Sequence, residues 1–175
     1  MKKIDLMLIH NLHGLDHFMP AMIKAKEQGR IRYIGMSTST DDQYDAQMEG
    51  MRRYPLDFVQ VDYSIANRNA QEKVLPLAQE RKMAVLANSP FGGRRQAASI
   101  FGKVAGKDLP DWAAEIDAKS WPQVFLKYAV SHPAVTAAIP GTTKVSHLTD
   151  NQGAGRGRLP DAEMRRKMEQ YWDAL

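Results

Sequence analysis

Ile4-Asp5-Leu6-Met7-Leu8-Ile9-His10 is an apolar run of strand length that ends in a polar side chain. The same arrangement recurs at Ile31–Met36 before Ser37, Phe58–Asp62 before Tyr63 and Met83–Asn88 before Ser89, with the polar exits roughly 26 residues apart. That interval is about the length of a strand, a covering helix and two short loops. A fifth run, Val135–Ile139, leads into Gly141-Thr142-Thr143. Repetition on this scale indicates that one strand-helix unit is copied along the chain.

The segments between these runs carry helical periodicity. It predicts helices at Leu15–Gln28, Asp41–Arg53, Asn69–Arg81, Ser120–Ser131 and Asp161–Leu175. The apolar runs are continuous rather than alternating, as in strands that are covered on both faces. We therefore predict a parallel α/β fold in which the polar exits lie at the carboxyl ends of the strands, where such folds build their sites.

The composition fits a single globular domain, residues 1–175. Its apolar content of 43% and charged content of 25% are ordinary for globular proteins. No apolar run approaches the ~20 residues of a membrane span. Although the net charge is +4, no stretch interleaves basic and aromatic residues as nucleic-acid-binding surfaces do. The sequence has no cysteine, which excludes disulfides and thiol catalysis, and it begins with no signal-peptide pattern, so we expect a cytoplasmic protein.

One segment, residues 91–119, interrupts the repeat after the fourth run. Its length and composition predict an inserted loop with short helices, either a lid over the site or an elaborated connection. Gly92-Gly93 within it could let backbone amides approach a phosphate, or could mark a plain turn.

Five motifs in the same order resemble the aldo-keto reductase family. They are Ile4–His10, Glu27–Ser37, Val59-Gln60-Val61-Asp62-Tyr63, Asn88-Ser89-Pro90-Phe91-Gly92, and Ile139-Pro140-Gly141-Thr142 with Asp150-Asn151. The resemblance covers essentially the whole chain but corresponds only to the fourth to eighth strand units of that family. It implies a partial (β/α)8 TIM-type barrel of about five parallel units plus a C-terminal helix, too few strands to close alone. It also implies an NADP(H)-dependent oxidoreductase that acts on a small carbonyl or alcohol.

The resemblance assigns roles to polar residues at the strand exits. His10 matches the histidine that orients and polarises the substrate carbonyl. Ser37, Thr38 and Gln60 match the residues that bind the nicotinamide carboxamide, with Thr38 in place of an asparagine. Asn88 stands where many members carry an aromatic side chain that stacks on the nicotinamide. The family's proton-donating tyrosine, with its lysine and aspartate, belongs to the strands that have no counterpart in this sequence.

The remaining candidates resemble the phosphate-binding parts of the family. Ser89, Pro90, Phe91 and Gly92 match its pyrophosphate loop, and its adenosine-phosphate site is matched by Gly141, Thr142, Thr143, Lys144, His147, Asp150 and Asn151. A helix beginning near Lys144 would turn its first amides and the positive end of its dipole toward a phosphate. The charge of Lys144 favours NADP over NAD. Alternatively, Thr142 or Thr143 is an ordinary N-cap.

Two functions remain open on this evidence. Hydride transfer to a carbonyl needs a proton donor, so the oxidoreductase is expected to be incomplete or weak as an isolated chain. The alternative is a non-catalytic remnant that binds a nucleotide or self-associates. Two exposed sheet edges, Ile4–Ile9 and Val135–Ile139, predict self-association. His10, His13 and His17 leave a surface metal site open, but no metal is assigned.

Overall fold

The computed structural model describes residues 3–92 and 97–175. In this part of the chain one sheet contains β1 (Ile4–Ile9), β2 (Ile31–Ser37), β3 (Phe58–Asp62), β4 (Ala84–Asn88) and β5 (Ala137–Ala138), all parallel and in chain order. The helices are α1 (Leu15–Glu27), α2 (Tyr44–Arg53), α3 (Val74–Glu80), α4 (Ala97–Val104), α5 (Trp121–Val130), α6 (Val145–Gly153) and α7 (Ala162–Ala174). The predicted parallel α/β fold is confirmed, as an open five-stranded sheet.

The fifth strand is much shorter than the predicted Val135–Ile139. Only Ala137 and Ala138 pair with β4. On the N-terminal side, the Thr136 hydroxyl oxygen accepts the Val85 N–H at 3.0 Å, so a side chain replaces part of the ladder. On the C-terminal side, Pro140 has no N–H with which to continue it.

Two predicted helices are each divided. The segment Asp41–Arg53 begins as a 3-10 helix at Asp41–Gln43 before α2, and Asn69–Arg81 begins as one at Asn69–Glu72 before α3. Lys73 separates the second pair because its backbone angles, φ −129° and ψ −76°, are not helical. Ser120, the first residue of the predicted helix Ser120–Ser131, caps α5, since its side chain accepts the Gln123 N–H at 3.3 Å.

Burial alternates along the first four residues of β3 and of β4 and so distinguishes the two faces of the sheet. Val59 and Val61 of β3 are fully buried, whereas Gln60 between them is half-buried. The buried face packs on the helices; Met36 of β2, for example, lies directly against Gly50 of α2. The opposite face carries the half-buried Gln60 and Leu86 and is the one that lines the interior in a closed barrel. We call it the inner face.

The predicted insertion 91–119 is partly outside the described residues, at 93–96. Its remainder forms α4 and a 3-10 helix at Asp111–Ile116, which bury Ile100, Trp112 and Ile116 in the core. Within the described residues, no helix has both the length and the apolar character that crossing a membrane requires.

Candidate functional site

Polar side chains from successive strands gather at the carboxyl edge of the sheet. Ser37 at the end of β2 is level with Gln60 of β3, and Asp62 of β3 is level with Asn88 of β4. His10 directly follows β1. Because all strands are parallel, these residues, of which all but Asp62 were predicted, come together at one end of the sheet, as barrel sites do.

His10 lies beside Ser37 but is exposed to solvent. The Ser37 hydroxyl oxygen is 3.4 Å from Nδ1 of His10 and accepts the backbone N–H of Asn11 at 3.1 Å. Asn11 and Leu12 both have left-handed backbone angles, with φ of 49° and 60°. Such conformations are costly for residues other than glycine and concentrate at functional sites.

Thr38 is fully buried, and its hydroxyl is engaged within the fold. It donates to Oε1 of Gln47 at 2.8 Å, and Nε2 of Gln47 donates to the Gln60 carbonyl at 3.0 Å. The side-chain amide of Gln60 makes no hydrogen bond to any residue that the structure describes. Of these two predicted carboxamide ligands, Gln60 therefore has a free amide on the inner face, whereas the hydroxyl of Thr38 faces α2.

Asn88 is 9% exposed, and its side chain reaches from the end of β4 across the end of β3 to the residue that follows β2. Its Nδ2 donates to the Thr38 carbonyl at 2.8 Å, and its Oδ1 is buried without a hydrogen-bond partner in the described part of the chain. Asp62 lies beside it and accepts hydrogen bonds from the Tyr44 hydroxyl, at 2.9 Å, and from the Asn67 amide. Burial raises the pKa of Asp62, and the hydrogen bond from Tyr44 acts in the opposite direction.

The predicted pyrophosphate loop begins with a tight turn after β4. The N–H of Gly92 donates to the Ser89 carbonyl at 2.8 Å. Ser89 has φ of 49° and Gly92 has φ of 85°, both in the left-handed region that favours glycine. Pro90 is buried between them, and the Phe91 ring packs on Phe101 with centroids 5.3 Å apart.

A cavity of ≈ 430 Å³ lies between this loop and the exit of β5. It is lined by Phe91, Phe101, Pro122, Gly141, Thr142, His147, Asp150 and Asn151. Two predicted phosphate-binding segments, about fifty residues apart in the sequence, thus share one cavity. Asp150 is fixed there by the Ser120 hydroxyl and the Gln123 amide, which both donate to it at 2.7 Å.

The N-terminus of α6 faces solvent beside this cavity. Lys144 occupies the N-cap position without a side-chain cap, and the first turn carries no acidic residue. Neither Thr142 nor Thr143 is the N-cap, although Thr142 accepts the Lys144 N–H at 3.2 Å. Thr143 and Lys144 are exposed. The uncapped amides and the nearby lysine form an electropositive end suited to a phosphate.

Two further groups were not assigned from the sequence. Asp62 shares the inner face with Gln60, so its period-two spacing was a usable signal. Tyr63 follows Asp62 but turns into the helix layer, where Nη2 of Arg165 donates to its hydroxyl at 2.6 Å. No local sequence pattern predicts that contact, because Arg165 lies 102 residues from Tyr63 in the sequence.

The histidines that follow β1 do not gather with Asp16. Its carboxylate instead accepts hydrogen bonds from Arg53 at 2.9 Å and Tyr54 at 2.7 Å. Across the described ranges 3–92 and 97–175, no group of three or more His, Cys, Asp or Glu side chains is arranged to hold a metal ion.

The open parallel sheet, with helices on one face and polar strand exits at one edge, defines part of a (β/α)8 barrel. The model of the Aldo/keto reductase family matches residues 1–171, and the chain belongs to that family.

Relatives and solved structures agree with this assignment. The chain is 25% identical to "Probable aldo-keto reductase 1" of Glycine max, covering 97% of this chain and 57% of that protein. It is 28% identical to "Methylglyoxal reductase YeaE" of Escherichia coli, covering 92% and 56%. An aldo/keto reductase from Klebsiella pneumoniae in complex with NADP and acetate superposes with a TM-score of 0.75 at 24% identity, covering 97% and 59%. The chain therefore spans somewhat more than half the length of these proteins.

Proposed function

We propose that this chain provides the cofactor-binding side of an NADP(H)-dependent oxidoreductase that acts on a small carbonyl or alcohol. The observation that carries the proposal is the shared cavity between Phe91 and the segment Gly141–Asn151, because it joins two segments with the expected phosphate-binding features. The membership of the aldo/keto reductase family supports the same cofactor.

The residues present fit an NADP(H) molecule along the carboxyl edge. The buried Oδ1 of Asn88 without a partner and the free amide of Gln60 offer an acceptor and a donor to the nicotinamide end. The uncapped start of α6 offers backbone amides to the phosphates. In the turn Ser89–Gly92 the Gly92 N–H is already engaged with the Ser89 carbonyl and Pro90 has none, so that turn contributes mainly its shape. Among the residues that the structure describes, a Cβ built on Gly141 meets no atom within 4 Å.

In the proposed reaction the cofactor supplies the hydride, and His10 orients the substrate carbonyl from the end of β1. An alkoxide that develops at the carbonyl oxygen must also receive a proton. Within the described residues, the ring of His10 has hydrogen-bond contacts only to Asn11 and Ser37. Tyr63 cannot serve, because it is buried against Arg165 and burial raises the pKa of its hydroxyl. We infer that full turnover needs a donor from polypeptide beyond these strands.

Titration with NADPH, followed by fluorescence, tests the cofactor proposal directly. We expect saturable binding that Lys144→Ala weakens about two- to fivefold, while NADH binding stays unchanged, because an exposed charge pair contributes roughly 0.5–1 kcal/mol. Lys24→Ala is the matched control, since Lys24 is an exposed lysine in the second half of α1, near the amino ends of the strands. An absence of any nucleotide binding would refute the proposal.

The alternative function is nucleotide binding without redox turnover. It is favoured by the solvent exposure of His10 and by its lack of a tyrosine partner among the described residues. A carbonyl turnover assay separates the two. Turnover that His10→Ala abolishes supports the enzyme, whereas saturable binding with no turnover in the unmodified chain supports the alternative.

We also propose that the chain self-associates through the edge of β1. Ile4, Met7 and Phe18 are 45%, 43% and 53% exposed at this edge, beside an apolar groove of ≈ 480 Å³. Ile139 and Val145 near β5 are 44% and 79% exposed. Unpaired strands and contiguous apolar surface both favour association with another chain.

A further inference from the structure

Only one of the two polar atoms of the Asn88 side chain has a hydrogen-bond partner among the described residues. Its Nδ2 donates to the Thr38 carbonyl at 2.8 Å, which fixes the orientation of the amide. Its Oδ1 is the one buried side-chain polar atom within residues 3–92 and 100–175 that lacks a hydrogen-bond partner. Leaving a buried acceptor unpaired is costly, and native structures rarely do so without a reason.

The neighbouring side chains cannot supply the missing donor. The Thr38 hydroxyl already donates to Gln47, and the Tyr44 hydroxyl already donates to Asp62. The carboxylate of Asp62 accepts hydrogen bonds and, when ionised, has none to give. Oδ1 of Asn88 therefore needs a donor that this part of the chain does not provide.

Asn88 also lies where a planar amide group would meet two complementary partners. It is on the inner face, two residues beyond Leu86 in β4, and Leu86 is level with Gln60 of β3. The free amide of Gln60 can donate, and Oδ1 of Asn88 can accept. A carboxamide has one carbonyl oxygen and one NH2 group, so it can satisfy both at once.

We propose that Oδ1 of Asn88 accepts a hydrogen bond from the carboxamide N–H of the nicotinamide ring and so positions that ring. The inference rests on the proposed NADP(H) function. It makes Asn88 a positioning residue that holds the ring through its carboxamide, at a place where many members of the family have an aromatic side chain. Asn88 then supplies the amide contact that Thr38 does not, because the hydroxyl of Thr38 is turned toward α2.

A cofactor analogue, compared in the unmodified chain and in one variant, tests the hydrogen bond. In the 3-acetylpyridine analogue of NADP, a methyl ketone replaces the carboxamide and removes its N–H groups. We expect the unmodified chain to bind NADP about three- to tenfold more tightly than this analogue, the usual worth of one neutral hydrogen bond. In Asn88→Leu, which keeps the branching of the side chain but has no acceptor, the two ligands should bind equally well. A preference that persists unchanged in Asn88→Leu, or no preference in the unmodified chain, overturns the inference.

Two further measurements keep the result interpretable. 2′-Phospho-ADP-ribose has no nicotinamide; if it binds the unmodified chain while NADP and the analogue do not differ, the proposed function stands and the role of Asn88 falls. If none of the three binds, both fall. The side-chain amide signals of Asn88 in a nitrogen-proton NMR spectrum should shift with NADP but not with 2′-phospho-ADP-ribose. This measurement uses only the unmodified chain. If the Asn88 signals move equally with both ligands, the proposal is contradicted, because a water molecule rather than the nicotinamide then pairs with Oδ1.

Discussion

His132 makes the stability of the fold dependent on pH in a way that can be calculated. Its Nδ1 accepts the backbone N–H of Ala134 at 3.1 Å, and its ring packs edge-on against Tyr63 with centroids 5.6 Å apart. Burial, with a smaller contribution from the positive charge of Arg165, lowers the pKa of His132 from 6.5 to about 4, and Glu169 acts weakly in the opposite direction. The folded state therefore holds the neutral ring.

The sign follows from proton uptake by the unfolded chain. Between pH 6.5 and 4 the unfolded state binds more protons than the folded state, so stability falls as the pH falls. From pH 7 to pH 5 about 1.5 units of this window are crossed, which corresponds to about 2 kcal/mol at roughly 1.4 kcal/mol per unit. Because the ring is only half-buried, solvent screening reduces the expected loss to between about 1 and 2 kcal/mol.

Urea unfolding at pH 7 and pH 5 measures this effect, with His132→Asn as the comparison. Asparagine keeps an acceptor near the position of Nδ1 but cannot titrate. The free energy of unfolding should fall by about 1–2 kcal/mol more in the unmodified chain than in His132→Asn between the two pH values. His17→Asn, which removes an exposed histidine, is the control. Equal losses in the unmodified chain and His132→Asn would refute the reasoning.

Two other predictions concern the packing and the edge of the sheet. Gly35→Ala should cost about 3 kcal/mol of stability or prevent folding, because its Cβ would lie 2.1 Å from the Phe58 carbonyl oxygen; thermal unfolding followed by circular dichroism measures it. Gly102→Ala, whose Cβ meets nothing within 4 Å, should be neutral or stabilising, and equal effects of the two substitutions would contradict the packing argument. Met7→Lys should shift the chain toward monomer in sedimentation velocity at micromolar concentration, whereas Leu159→Lys, at an exposed leucine outside both edges, should not. A wild-type chain that is already monomeric there would exclude the proposed association.

The periodic part of the fold could be predicted from the sequence because its causes are local. The first four apolar runs each became a strand within one residue of its predicted start, since a continuous buried run has few other solutions. β5 could not be bounded in this way. Its length depends on the bond from Val85 to Thr136, which lies 51 residues away.

The candidate site was predictable in its positions but not in its contacts. The polar residues at the strand exits do meet at one edge, because parallel strands must end together. Whether a given side chain faces the edge is a tertiary question. The hydroxyl of Thr38 donates to Gln47 of α2 and is therefore not available at the edge. Tyr63 follows a strand, but its hydroxyl accepts a hydrogen bond from Arg165 in the helix layer. Neither of these contacts between a helix and a strand exit can be predicted from the spacing of residues in the sequence.

The distribution of these contacts separates cofactor binding from turnover. The proposed NADP(H) contacts lie at the carboxyl ends of β2, β3 and β4, in the turn after β4 and at the start of α6, and β2, β3 and β4 are each paired on both sides within this chain. His10 instead follows β1, the edge strand whose outer side is unpaired in the described part of the chain. Any polypeptide that completes the surroundings of His10 must therefore approach along the same edge as Met7 and Phe18. Met7→Lys should consequently leave NADPH binding unchanged while it abolishes association and any turnover that depends on association. Loss of NADPH binding in a folded Met7→Lys chain would show that cofactor binding depends on the β1 edge and cannot be separated from association.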